Sequence, residues 1–236
     1  MKKREDNVAV EFMASNVYTE LMARGILIAG NDSALVNAIE AETAKRAGLY
    51  TIALIPNRAG ARLPLAVPGR TPLDWNPGSP ISARTVVLAA ENRLGRIDEA
   101  ILVCDPPAVS RPIADLGFAD VELTINDQIK GWFFLAKELA TAFKAQGEGT
   151  LVLVYPEING KNEGGILGQA ALAVFHSLTR SLLSAVGSEP YLTFGFTTGE
   201  TGDEAGFAAF IAKQLEDGNR RNNGKLHKYG KLGIFR

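Results

Sequence analysis

Two hydrophobic rhythms alternate along the chain. Short apolar runs fall at Ile26–Ala29, Leu49–Ile55, Ala100–Cys104, Leu151–Tyr155 and Tyr191–Phe196, unbroken in the first, third and fourth, with weaker ones at Leu73-Asp74-Trp75 and Lys225–Tyr229. Between them, Asn31–Gly48, Ile81–Leu94, Ile125–Phe143, Ile166–Val186 and Glu204–Leu215 read as helices, with apolar residues three and four apart. An unbroken apolar run is what a strand needs when both of its faces are covered, as in a parallel sheet. Strands alternating with helices predict an α/β fold built on a doubly wound parallel sheet.

Two of these helices are apolar on more than one side. In 125–143, Ile129, Phe133, Ala136 and Ala140 make one face, and Trp132, Leu135 and Leu139 lie beside it. In 166–186, Leu167, Ala171, Val174, Leu178 and Leu182 share a stripe. Gly95 follows the helix at 81–94 as a natural C-cap. Pro56-Asn57-Arg58-Ala59-Gly60 reads as a turn leading into a proline-rich passage that runs to Pro80. Ahead of the first strand, Val8, Val10 and Phe12 alternate and Val17, Leu21 and Met22 fall at helical spacing. That pattern fits an ordered extension and a flexible lead-in equally. The expected organisation is an N-terminal extension, 1–25, and a single domain, 26–236.

Composition narrows the function classes. A length of 236 residues suffices for one sizeable core, and a net charge of −1 gives no footprint for non-specific binding to nucleic acid or to a membrane. One cysteine rules out an internal disulfide, and with only two histidines no metal cluster is expected. No apolar run reaches the roughly 20 residues of a spanning helix, and the charged N-terminus lacks a signal-peptide core, so a cytoplasmic protein is expected.

The chemistry turns on the first strand, turn, helix and strand, a βαβ unit. In dinucleotide-binding units of this kind, the first turn is glycine-rich so that backbone N–H groups can approach a pyrophosphate at the helix N-terminus. Here the turn reads Ala29-Gly30-Asn31-Asp32-Ser33-Ala34-Leu35-Val36, and only Gly30 remains of the glycines. The scaffold is kept and the phosphate cradle is spoiled.

Further landmarks carry a resemblance. Leu73-Asp74, then Leu94-Gly95-Arg96-Ile97-Asp98 before Ala100–Val103, then Ile129-Lys130-Gly131, then Gln169-Ala170-Ala171-Leu172 through Leu178-Thr179-Arg180, occur in order from about Gly25 to Gly230. In this the chain resembles the short-chain dehydrogenase/reductase (SDR) family, which implies a Rossmann-type doubly wound sheet in a single SDR-like domain. The resemblance also shows what is missing. The family's catalytic tyrosine and lysine would fall on Gly165 and Gln169, its serine at Tyr155-Pro156, and its supporting asparagine on Gln128. Glycine has no proton to pass, and neutral glutamine cannot lower a phenol's pKa. At the cofactor site, Ala34 and Val36 stand where the family has glycines, and Cys104-Asp105-Pro106-Pro107 replaces an Asn-Asn-Ala-Gly segment. Prolines offer no N–H to a ligand. Gly30, Asp74 (where the family contacts adenine) and Arg58 (where a 2′-phosphate is sometimes held) are the remaining cofactor-binding candidates. An ordinary strand-end carboxylate and a solvated loop arginine are the simpler reading of the last two. The substrate loop is also short, since only Glu200–Asp203 separates Thr198-Gly199 from the next helix.

Other residues offer little replacement. Tyr155 and Lys161 are read as belonging to a solvated loop, His176 as a packing or surface residue, and Cys104 as a small core residue. The basic run Arg220, Arg221, Lys225, His227, Lys228, Lys231 and Arg236 reads as a solvated face, or else as a contact for an acidic partner or coenzyme A phosphates. The family builds a four-helix subunit interface from its fourth and fifth helices, here 125–143 and 166–186. The resemblance therefore implies a catalytically silent subunit without its own cofactor. It would be paired, as a heterotetramer, with an active NAD(P)-dependent SDR subunit such as a hydroxyacyl-CoA dehydrogenase. An NADP-sensing regulatory protein, and an atypical active oxidoreductase using relocated residues, are the alternatives.

Overall fold

The computed structural model describes residues 24–56, 69–108, 111–157, 165–199, 202–216 and 220–230. All but the end of the N-terminal extension therefore lies outside the described residues, as do Arg58, Lys161, Lys231 and Arg236.

Seven strands form one parallel sheet: β1 (Ile26–Gly30), β2 (Tyr50–Leu54), β3 (Arg70–Leu73), β4 (Glu99–Val103), β5 (Thr150–Pro156), β6 (Leu192–Thr198) and β7 (Leu226–Tyr229), in the order β3-β2-β1-β4-β5-β6-β7. β1 is the hinge of this order, pairing with β2 on one side (Ile28 opposite Ile52) and β4 on the other (Ile28 opposite Ile101). The strand expected at Leu73-Asp74-Trp75 instead begins earlier, at Arg70, and ends at Leu73. Its Thr71 and Pro72 gave no apolar run because this strand is the exposed edge, where a proline costs no ladder bond on its open side.

Side chains alternate across the sheet into two separate cores. Leu27, Ala29, Leu102 and Leu153 face one way, against α2 (Pro80–Leu94), α4 (Gly131–Gln146) and α5 (Gly165–Ser184). Ile26, Ile28, Val103 and Val154 face the other way, against α1 (Ala34–Arg46) and α6 (Glu204–Glu216). A short helix, α3 (Phe118–Leu123), precedes α4, and Gly95 caps α2 with φ of 77°.

Two helical expectations need correcting. The stretch read as one helix, 125–143, begins as a π-helical turn, Thr124–Lys130, before becoming regular at Gly131. Gly131 sits where an added Cβ would come within 2.5 Å of the Pro77 side chain, so only glycine lets the helix approach there. Asp127 and Gln128, adjacent on this wide turn, are both buried. In α5 the buried face is Gly168, Ala171, Leu172, Phe175, Thr179 and Leu183, rotated from the expected stripe. Leu167, Val174, Leu178 and Leu182 are only half-buried, and Phe133 and Ile166 are 47% and 45% exposed. At 20 residues α5 is also long and apolar enough to cross a bilayer, yet it lies packed against the sheet.

Two buried ion pairs hold the strands where they begin. Glu40 accepts a hydrogen bond from Tyr50 Oη at 2.9 Å, and Arg70 Nε lies 2.9 Å from the same oxygen, which ties α1 to β2 and to edge strand β3. Glu99, only 3% exposed, accepts from Arg46 Nη2 at 2.8 Å, joining the end of α1 to β4. Removing one partner of a buried pair strands the other charge. Glu99→Ala should lower unfolding free energy by about 3 kcal/mol, measured by urea denaturation.

Candidate functional site

At the carboxyl edge of the sheet, beside the point where the order turns from β2 to β4 across β1, lies a cleft of about 360 Å³. Open α/β sheets place their ligands at this position. Its walls come from the turn after β1 (Asn31, Asp32, Ser33), the ends of β2 and β4, the end of α3, and the π turn (Asp127, Gln128).

Beneath the turn that borders the cleft, two buried residues meet. Val36, on the first turn of α1 and 1% exposed, packs over Gly30 at the end of β1. A Cβ on Gly30 would come within 2.5 Å of Val36 Cγ2 and 3.2 Å of the Val103 carbonyl oxygen. The helix thus rests on the strand through a valine, filling the space above Gly30.

Ser33 caps α1, its Oγ accepting from the Val36 N–H at 3.3 Å. Beside it stands Asp105, hydrogen-bonded to Ser33. Burial, opposed by the Ser33 hydrogen bond and aided by the nearby Glu204 charge, holds the Asp105 carboxyl above the usual carboxylate range. The positive end of a helix dipole, the group that would draw a ligand's anion, here faces the chain's own carboxylate. Pro106 and Pro107 follow and supply no N–H groups. Asp32, Asp105, Asp120 and Asp127 all line the cleft, and among the described lining residues there is no lysine, arginine or histidine. Arg111 reaches Asp120 at 3.0 Å from outside the lining. For a dinucleotide's diphosphate the described lining is a poor match, with carboxylates in place of cations and two prolines that offer no N–H.

The expected site residues are dispersed relative to this cleft. Gln128 lines it, 6% exposed. Pro156 ends β5, Gly165 opens α5, and Gln169 stands one turn along; none is a lining residue. Asp74 is exposed just past β3, outside the lining, and Arg58 lies outside the described residues.

Tyr155 needs correcting: it is not in a solvated loop but within β5 and 3% exposed. Its ring stacks on His176 at 5.6 Å and meets Phe175 edge-on at 5.9 Å, which gives His176 a packing role. Burial, with Glu157 nearby, pushes the Tyr155 phenol up to about 12. A phenol that weakly acidic does not shuttle protons near neutral pH. Cys104 is fully buried, and burial raises its thiol well above the ordinary range. In the basic run, Lys228 pairs with Glu157 at 2.8 Å, and His227 stacks on Phe196 at 5.1 Å with burial and Lys225 lowering its pKa. Tyr229 Oη donates to Asp203 at 2.5 Å, clamping β7 to the start of α6, across the segment where a substrate loop was expected to be short. Among the described residues no group of histidine, cysteine and acidic side chains is set to hold a metal ion.

Sequence reasoning missed Asp105 and Asp127 as features of the cleft. Asp105 was in view as part of a lost motif, but its apposition to Ser33 is a tertiary contact. Asp127 was hidden by the π turn.

No protein-family profile matches the chain, and no curated protein matches it by sequence. Solved structures do. Levodione reductase superposes with a TM-score of 0.70 at 14% identity, covering 87% of this chain and 96% of that one. A short-chain dehydrogenase from Mycobacterium smegmatis gives 0.68 at 15% identity, covering 89% and 94%. An NADH-dependent reductase, A1-R′, solved with NAD, gives 0.68 at 14% identity, covering 90% and 98%. The fold is that of the short-chain dehydrogenases.

Two outcomes follow. Gly30→Ala should destabilise the protein by about 2 kcal/mol, and Val36→Ala should cost less in the Gly30→Ala background than alone, as a double-mutant cycle by denaturation would show. Because the folded-state pKa of Asp105 is raised, its burial penalty is absent below the unfolded pKa and fully present above the folded one. Asp105→Asn should therefore raise the melting temperature at pH 7, with the gain vanishing below about pH 4, as followed by thermal melts across pH.

Proposed function

We infer that this chain is a non-catalytic subunit of SDR architecture that supports an active, NAD(P)-dependent SDR partner and carries no cofactor of its own. The observation behind this reading is the cleft itself. The place where the fold would hold a dinucleotide presents Asp105 beside the helix N-terminus, while Gly165, Gln169, Pro156 and Gln128 supply none of the family's proton-transfer groups.

The outward apolar side chains support the partner. Ile125 is 40% exposed, Phe133 47% and Ile166 45%, on the π turn, α4 and the start of α5. Burying such side chains against a second subunit contributes about 25 cal/mol per Å². Heteromeric hydroxyacyl-CoA dehydrogenases such as 2-[hydroxy(phenyl)methyl]succinyl-CoA dehydrogenase pair an active with an inactive SDR subunit. We assign this chain the same kind of place, as half of a heterotetramer.

Co-expression with an intact SDR from the same genome, followed by light scattering and a dehydrogenase assay, tests the reading. A mixed complex whose activity needs both chains is expected. Phe133→Glu with Ile166→Glu should dissociate it while each chain keeps a cooperative thermal transition. A stable homo-oligomer of this chain alone that reduces a carbonyl with NADH or NADPH would overturn it.

A further inference from the structure

Arg24, the first described residue, marks where the N-terminal extension joins the domain. Its Nη1 lies 3.9 Å from Glu99 Oε2, and the carbonyl of the next residue, Gly25, accepts from the Asp98 N–H at 2.8 Å. Gly25 is also pressed against the end of α2: an added Cβ would meet the Arg96 carbonyl oxygen and come within 3.2 Å of Leu94 Cβ. The 23 residues before Arg24 therefore set out from beside the carboxyl end of α2.

That helix leaves apolar side chains on its outer face. Ile81 is 77% exposed and Leu88 48%, seven residues apart and so on one side, with Arg84 exposed between them. A single exposed apolar residue is ordinary. Here the pair is matched by the chain that sets out beside it. In the extension Val10, Ala14, Val17 and Leu21 recur at spacings of four, three and four, as one stripe of a helix does. A helix leading into Gly25 from along α2 runs in the same direction as α2, and both rise about 1.5 Å per residue. With Gly25 level with Arg96, Val17 comes level with Leu88 and Val10 with Ile81. Residues 9–23 then span the same 15 positions as α2.

We propose that the outer face of α2 is a docking surface for the chain's own residues 9–23, wound as a helix alongside it. Val17 packs on Leu88, Val10 packs on Ile81, and Glu11 lies within reach of Arg84. The extension is then a brace on the domain, and this surface is closed to other partners. The proposal is independent of the cleft and of the part assigned to α4 and α5.

Disulfide trapping in the full chain tests it. Val17→Cys combined with Leu88→Cys should close a disulfide within one chain under mild oxidation, read by non-reducing electrophoresis and intact mass. Val17→Cys combined with Ala44→Cys, at an exposed position on α1 across the sheet, should stay reduced. Cys104 is fully buried and does not compete. A disulfide joining two chains would put a second copy's extension on α2 and overturn the proposal. Equal trapping by both pairs, or by neither, would overturn it as well. Leu88→Glu gives a second readout that needs no cross-link. On a covered face it should lower the melting temperature by roughly 5 °C, whereas on an open face it is close to neutral. An unmoved melting temperature would overturn the docking and leave the silent-subunit reading intact.

Discussion

Helix α1 can lie on strand β1 only because Gly30 has no side chain, and the vacated volume sets how closely the two elements approach. In a dinucleotide-binding unit glycines let the helix close onto the strand across that volume. Here it is taken by Val36 Cγ2, 2.5 Å from where a Gly30 Cβ would be. The contact is a packing gain for the apolar core under α1, where Val36 joins Leu35 and Ile39. The same methyl groups that tighten this core fix the height at which the first turn of α1 stands over β1.

Electrostatics reinforces the change. A helix N-terminus of 13 residues carries partial positive charge, and a fold that binds phosphates uses it for that purpose. Asp105 and the Ser33 cap answer this charge from within the chain. A carboxylate so placed is favoured by the Ser33 hydrogen bond and penalised by burial, and the penalty is the larger of the two. The cleft is thus an arrangement held under mild electrostatic tension, unlike the well-paired Glu99 and Arg46 at the other end of the strands.

The fold could be read from the sequence because its signals are local. Unbroken runs such as Ala100–Cys104 and helical spacing such as Ile81–Leu94 depend only on neighbours, and both lie where expected, within a residue. Edge strand β3 was expected three residues too late because half-exposed strands have no reason to be apolar: Arg70 is there to pair with Glu40, not to fill a core. The rotation of the α5 face escaped because a helix with apolar residues on most sides leaves periodicity without a preferred direction; Leu172 and Phe175 point inward only because the sheet lies there. The residues at Ala34, Val36, Gly165 and Gln169 could be named from the sequence, being identities at a fixed spacing within the resemblance. The carboxylates were visible as letters but not as a cluster, since Asp32, Asp105 and Asp127 are brought together by the parallel crossovers and by a π turn that no propensity announces.

The uniform direction of the seven strands bears on how such a chain comes to exist at all. No pair of neighbours is a hairpin, so each ladder requires a loop and a helix to be spanned before its first bond forms, and β1 must wait for β4 some seventy residues on. Topologies of this kind fold slowly and leave apolar strands uncovered meanwhile. During that interval the apolar runs of β1, β4 and β5 are the segments most open to misassociation, so shielding them until the later crossovers form is the demand this topology places on synthesis.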